Sequence, residues 1–210
     1  MLWRLAPIVI VLAASPASAE LVVGIPRIVD GDTLEIGQTT IRLSGIDAPE
    51  VAQPGGRDAV AALAALIDGK QTVCTGTERD DYNRLIATCN ASAGDVGALL
   101  IQQGRAWAYV KYSSDYIDQE QAARSGRLGI WTGTPEPPWD YRAKRWKTAE
   151  QSSPKGCPIK GNIARHGERI YHAPWSPWYR KTSVDEREGE RWFCSEREAL
   201  DAGWRAPYWR

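Results

Sequence analysis

Between Leu21 and Ser44 apolar and polar residues alternate with the period of two that sends successive side chains to opposite faces of a strand. LVVGIPRIV, TLEI and TTIRLS form three such runs, separated by turns at Asp30-Gly31 and Gly37-Gln38. The period then lengthens. GRDAVAALAALI, from Gly56 to Ile67, repeats alanine and leucine at helical spacing and stops at Asp68-Gly69. QTVCTG and LIATCNA read as two more strands around the polar turn ERDDYNR. A second helix is predicted from Asp95, a capping residue, to Gln103 before Gly104. A third should run from Ser114 or Asp115 to about Arg124, closed by Ser125-Gly126. Five strands with interspersed helices predict an α+β domain whose sheet can close on itself as a small barrel.

After GIWTG the pattern changes to PEPPWDYRAKRWK, and Thr134 to Pro154 reads as a linker or as a helix lying across the domain surface. From Cys157 to Arg210 the chain is dense in Trp, Tyr, Arg and Gly, and reads as a hairpin, a following strand and a short helix. The expected organisation is a leader over 1–19, a barrel domain over 20–133, a basic aromatic segment over 134–154 and a small C-terminal module over 155–210. No internal repeat is present.

A length of 210 residues with 43% hydrophobic and 25% charged residues suits one substantial core plus an appendage, and excludes wholesale disorder. The start, MLWRLAPIVIVLAASPASA, combines Arg4, an apolar run from Leu5 to Ala14 and the small residues Ala17-Ser18-Ala19, which is the pattern of a cleaved signal peptide. The run is too short to span a bilayer and no later segment has the apolar length, so no stable membrane insertion is expected after cleavage. A periplasmic or secreted monomer follows as the expectation. In that compartment four cysteines imply two disulfides, of three possible connectivities. Their spacing suggests Cys74 with Cys89 and Cys157 with Cys194. A zinc site of Cys157, His166, His172 and Cys194 is the competing arrangement, but the spacing fits no compact zinc motif and oxidised cysteines cannot ligate.

Net charge is zero, so the chain as a whole is no polycation. Its charge is nonetheless unevenly placed. Arg142 to Lys181 holds ten Lys or Arg against two acids, interleaved with Trp146, Tyr171, Trp175, Trp178 and Tyr179. That mixture suits single-stranded nucleic acid or another polyanion, or else supplies the core and solvated face of a small module.

Acids concentrate in the first hairpins. Asp30, Asp32, Asp47 and Glu50 fall at two chain reversals that a meander brings to one end of a barrel, where they repel one another unless a cation lies between them. A hard cation such as calcium takes carboxylate and carbonyl oxygens, although the spacing is not that of an EF-hand. Arg42 projects from the face of its strand opposite to Ile41 and Leu43, and Arg84 closes the turn DDYNR. A cation, two guanidinium groups and a free carboxylate are the parts needed to hydrolyse a phosphodiester. Singly, each feature has a plainer reading: Asp30-Gly31 as a turn, Asp47-Ala48-Pro49 as a corner, the arginines as partners of those acids.

Together, DGDTL (Asp30 to Leu34), IRLSGIDAPE (Ile41 to Glu50), DDYNR, QQGRAWAYV and YIDQEQAARSGRLGIW resemble the staphylococcal-nuclease-like (thermonuclease) family, in the expected order over about Leu21 to Trp131. The resemblance implies a five-stranded OB-type barrel with about three helices, and calcium-dependent cleavage of DNA and RNA. It further implies that Asp32, Asp47 and the backbone carbonyl of Ala48 bind Ca2+, with Asp30 near the metal. Glu50 would be the general base or a water-orienting carboxylate, Arg42 and Arg84 would bind phosphate and stabilise the transition state, and Tyr82, Tyr109 and Tyr112 would contact the nucleotide. Ala48 stands where well-known members have threonine, so a side-chain hydroxyl contact is lost. Asn83 stands where they have glycine, and asparagine tolerates positive φ better than most residues. The last module, with its KGNI, IYH, GERWFC and EALDAGWR stretches, resembles one appended to some bacterial thermonuclease-like proteins and leaves its partner open. Two competing functions are a polyanion-binding protein that keeps the fold without catalysis, and an accessory protein of envelope or exopolysaccharide assembly.

Overall fold

The computed structural model describes residues 18–208, so most of the expected leader lies outside the described residues. In chain order the first part holds β1 (Glu20–Gly24), β2 (Arg27–Ile28), β3 (Thr33–Ile36), β4 (Thr39–Leu43), β5 (Ile46–Asp47), α1 (Gly56–Ile67), β6 (Thr72–Arg79), β7 (Leu85–Ala91), β8 (Gly94–Asp95), α2 (Val96–Gln102), β9 (Trp107–Ala108) and α3 (Ile117–Ser125). The main sheet runs β1-β6-β7-β4-β3-β2, with β8 on β7, and only β4 with β7 is parallel. Four of the five expected strands are single members of it, the first expected run divides at Ile25-Pro26 into β1 and β2, and the fold is of the OB type.

Alternation along these strands turns Leu34, Ile36, Ile41, Leu43, Cys74, Leu85, Ala87 and Cys89 inward. Ala59, Leu63 and Ile67 of α1 and Val96, Leu100 and Ile101 of α2 complete the core. Each fully buried aliphatic side chain contributes about 1.5–3 kcal/mol. The sheet curls so that β1 passes beside β3: a Cβ on Gly24 would sit 2.6 Å from Ile36 Cγ2, which only glycine avoids. Cys74 and Cys89 are directly opposed on β6 and β7 and form one disulfide; Cys157 and Cys194 form the other.

The segment after the barrel is a helix, α4 (Pro138–Glu150), with proline in its first turn, where the missing N–H is harmless. It is followed by β10 (Ile159–Ile163), β11 (Arg169–His172), β12 (Arg191–Phe193) and α5 (Glu196–Asp201), with a three-stranded antiparallel sheet in the order β11-β10-β12. Ile159, Tyr171, Phe193, Ala199 and Trp204 make a separate small core, and Trp146 of α4 packs against it. At its other end α4 lays Trp139 against Trp107, Ala123 and Trp131 of the barrel. The two parts are joined by polar bonds as well. Arg197 NH1 donates to the Asp81 carbonyl at 2.8 Å, and Tyr208 OH donates to Glu35 Oε2 at 3.0 Å. Among the described residues no helix is long and apolar enough to cross a membrane.

Candidate active site

The acids arrive from two turns. Asp30-Gly31-Asp32 links β2 to β3, and Asp47 ends β5 just before the corner Ala48-Pro49-Glu50. A Cβ on Gly31 would lie 2.9 Å from Ala48 Cβ, so glycine is what lets the two turns meet. Their contact is sealed by the Ala48 N–H, which donates to Asp32 Oδ2 at 2.7 Å. Asp32 Oδ1 accepts from Thr33 Oγ1, and the Asp32 N–H donates to Asp30 Oδ1.

Arg42, on β4, reaches both turns. Its NH1 lies 2.6 Å from Asp32 Oδ2 and its NH2 lies 3.1 Å from Asp47 Oδ1. Asp32 and Asp47 therefore face a single cationic position, and both are buried.

A second guanidinium comes from outside the barrel. Arg142 of α4 donates from NH1 to Asp47 Oδ1 at 3.0 Å and from NH2 to Asp47 Oδ2 at 2.7 Å. The same NH1 lies 2.9 Å from Glu50 Oε1. Glu50 is further fixed by Gln53, whose Oε1 accepts the Glu50 N–H at 3.1 Å while its Nε2 donates to the Glu136 carbonyl at 2.6 Å. Neither Arg142 nor Gln53 figures among the residues expected from sequence.

Arg84 stands on the turn between β6 and β7. Asp80 organises that turn, accepting from the Tyr82 and Arg84 N–H groups at Oδ1 and from Arg84 Nε at Oδ2, 2.7 Å away. Asn83 takes φ 61°, the left-handed conformation foreseen for it. The Arg84 guanidinium lies 5.2 Å from the centre of the Tyr82 ring. Tyr109 and Tyr112 sit elsewhere, just beyond β9, where Trp107 pairs with Asp47. Tyr109 stacks on Trp139 with ring centres 5.6 Å apart, and Tyr112 meets its edge while remaining largely exposed.

The carboxyl groups of this centre differ in how readily they ionise. Burial pushes the Glu50 carboxyl up to about 8 despite Arg142, and the charges of Asp30 and Asp32 add to the effect. Burial, then the charge of Asp32, pushes Asp30 up to about 7. Burial also works to raise Asp32, but the Arg42 guanidinium and the Ala48 N–H outweigh it and hold that carboxyl below its usual range. For Arg142, burial works to lower the pKa, while its bonds to Asp47 and the charge of Glu50 raise it. Arg84 is likewise raised against burial, first by Asp80, and Asp30 and Glu196 contribute.

The carboxylate oxygens of Asp32 and Asp47 are donors of the type a hard divalent cation takes. The present packing does not itself form a coordination shell: among the described residues no three acid, histidine or cysteine side chains converge on one point. Arg42 and Arg142 occupy the oxygens of Asp47, so an ion binding there replaces an arginine bond. The alternative zinc arrangement is closed off, because Cys157 and Cys194 are bonded to each other and His172 Nε2 lies 3.0 Å from Asn162 Oδ1.

Residues 40–133 match the family described as staphylococcal nuclease homologue, and residues 141–206 match a second family, ArfC. An uncharacterized endonuclease of Escherichia coli is 34% identical over 127 residues, covering 57% of this chain and 83% of that protein. A micrococcal nuclease of Shigella flexneri is 32% identical over 159 residues, 67% of this chain and 91% of that one. The succinoglycan biosynthesis protein ExoI of Rhizobium meliloti is 33% identical over 135 residues, 57% and 69% of the two chains. The chain belongs to the staphylococcal nuclease homologue family. Arg142 lies outside the segment matched to that family and inside the segment matched to the second one.

Proposed function

We propose that this chain is an exported, calcium-dependent nuclease that hydrolyses phosphodiester bonds of DNA and RNA. The observation that carries the reading is Arg42 bound at once to Asp32 and Asp47, with Glu50 one corner away. Asp32, Asp47 and the Ala48 carbonyl would hold the calcium ion, with Asp30 beside it. When bound, the ion supplies positive charge to the phosphate oxygens.

Glu50, in its ionised form, takes the proton of the attacking water. The water oxygen bonds to phosphorus as the opposite ester bond breaks, and the departing oxygen collects a proton from solvent. Arg42 and Arg84 stabilise the charge that gathers on the phosphoryl oxygens. Two disulfides, together with the leader pattern in the sequence, support export.

The name of the Rhizobium relative favours a second reading, an accessory role in exopolysaccharide assembly with the nuclease fold retained. One experiment separates the two. The purified protein, disulfides intact, is incubated with single-stranded DNA, duplex DNA and RNA in calcium and then with a calcium chelator, beside Arg42→Ala. Calcium-dependent cleavage that Arg42→Ala abolishes is expected. Absence of cleavage by folded protein in calcium contradicts the nuclease reading and leaves the accessory one.

A further inference from the structure

A cleft of about 260 Å³ lies where the barrel, α4 and the C-terminal module meet, and Arg142 forms part of its wall. The barrel contributes Tyr82, from the turn that carries Arg84. The other side contributes Trp146 of α4, Trp175 from the loop after β11, and Glu196 of α5. We infer that this cleft is a nucleobase-stacking subsite, built jointly by the barrel and the appended segment, which takes an unpaired base of the strand being cut. The inference rests on the nuclease reading above and adds to it a substrate class, single-stranded nucleic acid.

Three observations support it. The first is position: the Arg142 side chain separates the cleft from Asp47 and Glu50, so a base lodged there belongs to a nucleotide next to the reacting phosphate. The second is the lining. Tyr82, Trp146 and Trp175 are all half-buried and line the cleft, and the two indoles stand 6.2 Å apart at 35°. Aromatic faces stack on any base, whereas a paired base in a duplex is not free to enter. The volume, just under the ~300–1,000 Å³ of sites for drug-sized ligands, suits one base with its sugar and phosphate outside.

The third is a polar partner. Glu196 lies on the cleft wall, within the field of Arg84 and Arg142, and offers an acceptor to a base N–H. Its Oε2 accepts from the Tyr171 hydroxyl at 2.9 Å. The walls are held in place across the junction by Arg197, which bonds the Asp81 carbonyl beside Tyr82.

Trp146 also packs against the small core of the module, whereas Trp175 is not part of that core, so Trp175 is the residue to change. Binding is measured by fluorescence anisotropy at fixed salt, on a non-cleaving Glu50→Gln background, with Trp175→Ala added. The probes are a labelled oligo(dT) of about ten nucleotides and an abasic strand of the same length, which keeps every phosphate and lacks every base. Trp175→Ala is expected to weaken oligo(dT) at least about fivefold and to leave the abasic strand unaffected, with Trp175→Tyr restoring affinity. Equal loss on both probes, or no loss on oligo(dT), overturns the inference. If Trp175→Ala does not fold, Trp175→Leu, which keeps bulk without a ring face, is measured in its place with the same two outcomes. Cleavage of the oligo(dT) by the unmodified protein runs alongside. Cutting without a Trp175 effect rejects the subsite alone, and no cutting rejects the nuclease reading itself.

Discussion

Arg142 grips both carboxylate oxygens of Asp47, at 2.7 and 3.0 Å, from a helix 95 residues further along the chain. Asp47 is fully buried and also bonded to Arg42, so its charge is neutralised from two sides. The appended segment thus takes part in the electrostatics of the barrel's acidic end.

Removing Arg142 takes from the buried Asp47 one of its two arginines and from Glu50 its ion-pair partner. Breaking a buried pair by deleting one partner costs about 3 kcal/mol or more. Arg142→Ala should therefore lower the melting temperature of calcium-free protein, and the rise in melting temperature on adding calcium should be larger than in the unmodified protein, because the ion no longer competes with an arginine. Differential scanning calorimetry with and without calcium checks both. An unchanged calcium response would mean that Arg142 and the ion do not share Asp47.

His172 supplies a pH dependence away from the acidic centre. Burial, and the nearby Lys160 charge, lower its pKa to about 4. The unfolded chain titrates near the ordinary value of 6.5, so between those values it binds a proton that the folded chain refuses. Stability from this group is complete above about pH 6.5 and is lost as pH falls toward 4. From pH 7 to pH 5 the loss is about 2 kcal/mol. Urea unfolding at the two pH values should show a steeper decline for the unmodified protein than for His172→Gln.

The two disulfides should differ in weight. They close separations of 15 and 37 residues, for which loop entropy gives about 3 and about 4 kcal/mol. Paired Cys→Ser variants, Cys74 with Cys89 and Cys157 with Cys194, unfolded in urea, test that order.

How far the sequence foretold this arrangement depended on the range of the interaction. α1 was legible to the residue, because a long Ala/Leu repeat with a Gly stop is a local signal. β6 runs on to Arg79, beyond the expected strand, because an irregularity between Gly76 and Glu78 breaks the alternation that a reader follows. The pairing of Ile46-Asp47 with Trp107-Ala108 was not legible, since two residues carry no period. Asp32, Asp47, Glu50 and Arg42 were read from a local motif; Asp32 and Asp47 meet at Arg42, while Glu50 joins Asp47 only through Arg142. Arg142 was not, because its partners lie 92 and 95 residues away. One clue was available: in the basic run of α4, Arg142 shares helical spacing with Trp139 and Trp146, the aromatic residues that face the rest of the molecule.

The most direct measurement is cleavage and binding by Glu50→Gln on the same single-stranded oligonucleotide in calcium. Loss of a proton-accepting carboxylate should slow cleavage by about 10²–10⁴-fold while affinity for the strand stays within about twofold, since Glu50 holds no phosphate in this scheme. Cleavage that survives the substitution at full rate would contradict the role given to Glu50, and with it the reading of this centre as the place where the phosphodiester is cut.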